Sequence, residues 1–198
     1  MLITLLCSLI VGTVFIIMSF SYTHKRADRK FATNKQSAPS IASFRNLSKV
    51  LFVSSMLLTL LSYWSNSVWL LQAKIIPPLQ NIMQLFGASM VLLGYLKLRK
   101  SFADLGDNYS PLFDACMPFK LITTGSYAHV RHPIYLYNLF VSFGLAISSM
   151  SALVLINALI GLGFILKTIQ IEEHYLSQNF PEYDRYKQQS WRLIPYVY

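Results

Sequence analysis

The chain has 198 residues, 54% of them hydrophobic and 13% charged, with a formal net charge of +9. A soluble domain carries about 25% charged residues, so this apolar excess excludes a single soluble core and indicates a membrane protein. The positive charge lies in blocks between apolar runs, not over a polar surface, which argues against a nucleic-acid-binding role.

Four stretches lack Asp, Glu, Lys, Arg and His: Met1 to Thr23, Val50 to Ala73, Ile75 to Leu96, and Pro133 to Leu166. A membrane helix needs roughly 20 apolar residues to cross ~30 Å of hydrocarbon. The first three stretches each fit one crossing. The first lacks a basic n-region and an A-x-A cleavage site, so it reads as a retained helix and not a signal peptide. Cys7 lies inside it, far from Cys116, which argues against a disulfide.

The fourth stretch would measure about 50 Å as one helix, too long for a simple crossing. Two shorter helices turning at Ser148 to Ser151 fit instead, because serine tolerates turns and can satisfy freed carbonyls. A single strongly tilted helix is the alternative. If the stretch doubles back, Arg131 and His132 before it lie beside Glu172 and Glu173 after it. If it does not, a bilayer separates them.

Basic residues set the orientation. His24 to Lys49 holds seven Lys and Arg against one Asp, and the connector Lys97 to His132 holds Lys97, Arg99, Lys100, Lys120 and Arg131. Both read as cytoplasmic, and the short loop around Lys74 as external. The expected fold class is therefore all-α: a polytopic membrane protein with five transmembrane helices, the last two forming a hairpin, and a cytoplasmic C-terminal tail. The expected segments are helices over 1–23, 50–73, 75–97, 133–148 and 151–172. A cytoplasmic loop spans 24–49, a cytoplasmic connector 98–132 and the tail 173–198.

Pro133 suits the first helical position, so Arg131 and His132 precede a helix N-terminus near the interface. Snorkelling to lipid headgroups would explain an isolated pair. The clustering of polar residues, the flanking Tyr127 and Tyr135, and a second polar cluster on the same side argue for more. Acids beside a bilayer are expensive unless paired or wet. Glu172 and Glu173 point about 100° apart on a helix, so both cannot idle in water. If the helix ends at the pair, the macrodipole also disfavours them there by a few tenths of a kcal/mol. A solvated helix end is the competing explanation. No metal-ligand spacing, G-x-G-x-x-G, P-loop or nucleophile elbow occurs, which argues against a metal site or a soluble nucleotide-binding fold.

The motifs LGDNYS (Leu105 to Ser110), LITTGSYAHVRHPIY (Leu121 to Tyr135), Glu172–Glu173, NFPEYDRY (Asn179 to Tyr186) and WRLIP (Trp191 to Pro195) occur in a telling order. Together they resemble the isoprenylcysteine carboxyl methyltransferases, over about Leu105 to Pro195. The resemblance implies a five-helix membrane enzyme that binds S-adenosylmethionine on the cytoplasmic side. It assigns Gly125, Tyr127, His132, Pro133, Tyr135, Glu172 and Glu173 to the cofactor pocket. Lys167 stands where the family often has Arg, which keeps the charge without the bidentate fork. Tyr109 stands where Trp is common. Methyl transfer to a carboxylate needs an oriented methyl group and a held anion, roles open to Arg131, Lys167 and Arg192. The implied partner is a lipid or lipidated substrate. Phospholipid N-methylation is the rival of the same class. An NADPH-dependent sterol-type reductase and a non-catalytic membrane protein are the rivals from other classes.

Overall fold

A computed structural model describes residues 2–27, 39–64, 76–108 and 120–197. The loop around Lys74, expected to be external, most of the polar loop between the first two helices, Tyr109, Ser110 and Cys116 lie outside the described residues. The described chain is all-helical: α1 Leu2–Ala27, α2 Pro39–Trp64, α3 Pro77–Leu105, α4 Pro133–Ser149, α5 Ala152–Asn179 and α6 Tyr183–Gln189. Single 3-10 turns occur at Gly106–Asn108 and Gly125–Tyr127.

Several helices outrun the apolar stretches that announce them. Charged residues are good helix formers, so a helix stops at a backbone signal, not at the end of its greasy run. Prolines at the first turn start α3, and it continues past Lys97 to Gly106, whose φ of 54° breaks it. The helix α5 passes through both glutamates to Asn179 and ends ahead of Pro181. Glu173 is therefore not at a helix C-terminus, and the macrodipole argument does not apply to it.

Among the described residues, three helices are long and apolar enough to cross a membrane: Asn46–Trp64, Pro77–Leu105 and Ala152–Asn179. Two shorter apolar segments, Leu2–Met18 and Pro133–Ser149, accompany them. Large apolar side chains such as Leu9, Leu57, Leu93, Leu96, Ile156 and Leu159 face outward. Such an apolar exterior suits lipid and not water.

Between α4 and α5 the chain reverses at Met150, which takes a left-handed conformation (φ 53°, ψ 23°). The Met150 amide donates to the Ala146 carbonyl, and the Ser151 amide donates to Ser149 Oγ at 3.3 Å. Buried hydroxyls thus satisfy a turn that no water reaches. The same end of the bundle is tied by Tyr63 and Ser148, whose hydroxyls pair, and by Ser148 Oγ donating to the Gln84 carbonyl at 2.9 Å. The Asn157 amide reaches Ser54 Oγ at 3.1 Å and joins α5 to α2.

The tightest helix pair is α3 against α4. A Cβ built on Gly87 would lie 2.5 Å from the Gly144 carbonyl oxygen and 2.6 Å from Ser148 Cβ. In lipid, where apolar burial gives no drive between helices, such close backbone approach supplies the van der Waals contact that holds them. Val91, Val141 and Leu145, all fully buried, fill the interface below.

Gly87→Ala should therefore lower the melting temperature in detergent, overpacking here costing about 1–3 kcal/mol. Gly161→Ala should leave it unchanged or raise it, since a Cβ there meets open space. Equal effects of the two substitutions would show that backbone approach at Gly87 does not limit stability.

Candidate functional site

The reversal at Met150 returns α5 to the level at which α4 begins. Pro133 occupies the first turn of α4, so Arg131 and His132 are held just outside the helix in non-helical backbone. The chain ahead of them is tied to the C-terminal tail. Val130 pairs with Trp191 in a short parallel bridge, the Arg131 amide donating to the Trp191 carbonyl at 2.8 Å and the Trp191 amide to the His129 carbonyl at 2.9 Å.

Glu173, 6% exposed, is the centre of the site. Its Oε1 accepts from Arg131 Nε at 2.8 Å and lies 3.3 Å from His132 Nε2. Its Oε2 is 2.8 Å from Arg192 Nε. One carboxylate therefore gathers three cationic or polar side chains from two parts of the chain, the loop before α4 and the tail. The Arg131 guanidinium is also tied to the tail, for its NH1 donates to the carbonyls of Lys187 and Ser190. Arg131 thus joins the loop, α5 and the tail. The Arg192 side chain is 32% exposed, against 8% for Arg131.

His132 is buried, stacked on Tyr135 with ring centroids 5.7 Å apart. Its Nδ1 lies 3.7 Å from Glu172 Oε2, beyond hydrogen-bond range. That oxygen is buried and makes no hydrogen bond within the described chain. A buried acceptor without a donor is costly. The Tyr183 hydroxyl is also buried without a hydrogen-bond partner. Burial, then the facing Glu173 carboxylate, push this phenol well above the usual range, so it remains protonated.

The turn Gly125–Tyr127 lies against α3 and α6, bonded to Asp104 and Tyr186. Gly125 has φ 62°, a left-handed conformation that suits glycine. Tyr127 is buried, and its carbonyl accepts from the Tyr186 hydroxyl at 2.5 Å. Burial pushes Tyr186 up to about 12, which keeps it a donor at neutral pH.

Arg131, His132, Glu172, Glu173 and Arg192 thus come together, with Pro133 and Tyr135 at the adjoining helix start. Lys167 does not join them. It is exposed, and six residues along α5 from Glu173 it points about 120° away from that side chain. Three contributors lay beyond sequence reasoning. Tyr183 and Tyr186 sit within the NFPEYDRY motif, but nothing local shows that they face the site. Asp104, described below, carries no sequence signal at all.

A sequence profile of the phospholipid methyltransferase family matches residues 82–183, just over half of the chain. It takes in α4, the Arg131–His132 pair and both glutamates. The nickel-cobalt-cadmium resistance protein NccN of Alcaligenes xylosoxydans xylosoxydans is 37% identical over 79 residues, covering 38% of this chain. The aligned part is 36% of that relative, so the chain spans about a third of the length of the curated protein it matches. With a match over this much of its length, enclosing Arg131, His132 and Glu173, the chain belongs to the phospholipid methyltransferase family.

Proposed function

We propose that the chain is an S-adenosylmethionine-dependent methyltransferase acting on the carboxylate of a lipid-like substrate at the cytoplasmic membrane face. The observation that carries this reading is the meeting of Arg131, His132 and Arg192 on Glu173, at the polar end of an apolar helix pair. Membership of the phospholipid methyltransferase family supports the reaction class. The cofactor would supply a methyl group on a sulfonium. Glu172, whose buried oxygen lacks a donor, fits a ribose hydroxyl or an amino group of that cofactor. Gly125, Tyr127, His132, Pro133 and Tyr135 would line the same pocket.

Transfer to a carboxylate cancels two charges, and a site screened from water favours neutral products over separated ions. The acceptor anion needs a cation to hold it and no general base. Arg192 suits that role because its side chain is 32% exposed, whereas that of Arg131 is 8% exposed and tied to Glu173 and the tail carbonyls. Arg131 would then act by keeping the pocket assembled. Lys167 would serve only if the substrate reaches along α5 to its exposed face. An amine acceptor must lose a proton, and Glu173 is a poor base with a guanidinium on each oxygen. This favours oxygen over nitrogen as acceptor. Five crossings, with the last two paired, would put the site on the side where Lys97, Arg99, Lys100 and Lys120 also gather.

Radiolabelled S-adenosylmethionine should bind the purified protein saturably, without competition from NADPH. Glu173→Ala should abolish this binding, because removing one partner of a buried ion pair leaves uncompensated charge at about 3–5 kcal/mol. No binding by the unaltered protein would remove the methyltransferase reading. Label transferred to lipid should be released by mild base, as an ester is; base-stable label would assign an amine acceptor instead.

Arg131→Ala should cost on the order of 100-fold in transfer rate while the protein still inserts in the membrane. Failure to insert would assign Arg131 to membrane anchoring.

A cysteine placed at the exposed Gln188 should react in intact cells only with a membrane-permeant thiol reagent. Labelling by an impermeant reagent would put the tail on the other side.

A further inference from the structure

Asp104 lies in the last turn of α3, where a carboxylate faces the negative end of the helix macrodipole. The helix itself therefore gains nothing from it. Its Oδ2 accepts two hydrogen bonds from one residue far away in sequence, the Ser126 amide at 2.7 Å and the Ser126 hydroxyl at 2.6 Å. Ser126 is the middle residue of the 3-10 turn Gly125–Tyr127. The carboxylate also packs against the bare Cα of Gly125, where a Cβ would stand 2.7 Å from Oδ2. Glycine is needed there twice over, for its positive φ and for the carboxylate beside it.

The turn is thus gripped from two sides. Asp104 holds the Ser126 amide from α3, and Tyr186 holds the Tyr127 carbonyl from α6. Four residues after Tyr127 the chain reaches Arg131, whose amide and guanidinium are in turn fixed by the tail and Glu173. A charge-assisted pair of bonds to one amide and one hydroxyl is stronger than a neutral pair and sets direction as well as distance.

The geometry points to Asp104 as a positioning residue for the cofactor pocket: it latches the Gly125–Tyr127 turn in the conformation that receives S-adenosylmethionine. This rests on the reading of that turn as part of the cofactor site. The latch joins the end of a membrane helix to the pocket wall, and it works through Ser126 without touching the ligand.

Two measurements separate the latch from the cofactor reading. The first needs no ligand. Amide hydrogen exchange over residues 125–131 should quicken roughly tenfold in Asp104→Ala, as local opening becomes easier. Unchanged exchange there overturns the latch. The second is the affinity for S-adenosylmethionine of the purified protein in detergent. Asp104→Ala should weaken it roughly tenfold, the scale of a lost charge-assisted bond. Asp104→Asn, which keeps an oxygen acceptor, should recover most of that loss. The double variant Asp104→Ala/Ser126→Ala should bind no worse than Asp104→Ala alone, because the two residues act as one unit. Losses that multiply in the double variant, or an Asp104→Ala protein with unaltered affinity, overturn the proposal. If the unaltered protein binds no S-adenosylmethionine, the cofactor reading falls and the exchange measurement still decides the latch.

Discussion

Everything at the polar end of this bundle is organised around the Glu173 carboxylate. A buried carboxylate beside apolar helices is expensive unless its charge is met. Here Arg131 meets one oxygen and Arg192 approaches the other, with His132 beside the first. Those partners come from the loop before α4 and from the tail after α6, while Glu173 itself comes from α5. Satisfying a single charge therefore forces three separate lengths of chain to one place. Arg131 extends the constraint, since its NH1 donates to the Lys187 and Ser190 carbonyls of the tail.

That arrangement needs a scaffold that returns α5 to the level where α4 starts. The Met150 reversal provides it, and the serines around it supply the hydrogen bonds that water would otherwise give. The close approach of α3 and α4 at Gly87 and Gly144, with the Ser148 hydroxyl donating to the Gln84 carbonyl beside it, fixes the two helices against each other. At the far end of α3, Asp104 holds the Gly125–Tyr127 turn through Ser126. Rigid packing in the apolar half and ion pairing in the polar half thus act on the same helices. The site inherits its geometry from both.

Much of this was legible in the residues themselves, for reasons that are local. Long runs without charge, as at Ile75 to Leu96, must be helical in lipid because every backbone group needs an internal partner. The length of Pro133 to Leu166 argued for a reversal, and Ser148 to Ser151 was the natural place. Helix ends were less legible. Lys97 to Leu105 and Glu172 to Asn179 continue their helices because no glycine or proline interrupts them, although they are no longer apolar.

The sequence alone determined an all-helical, lipid-facing chain with a cluster of basic and acidic residues around one apolar pair, because composition and spacing act over a few turns at most. Which of those residues meet was decided only by tertiary structure. Lys167 and Arg192 are both cations near the glutamates in the reading of the motifs, yet Arg192 touches Glu173 and Lys167 points away. The difference arises from helical phase on α5 and from the tail bridge at Val130 and Trp191. Asp104 and Ser126 likewise find each other across a chain separation that no local pattern encodes. Partner choice of this kind depends on where distant backbone is carried, and only the folded packing of α3, α4, α5 and the tail carries it there.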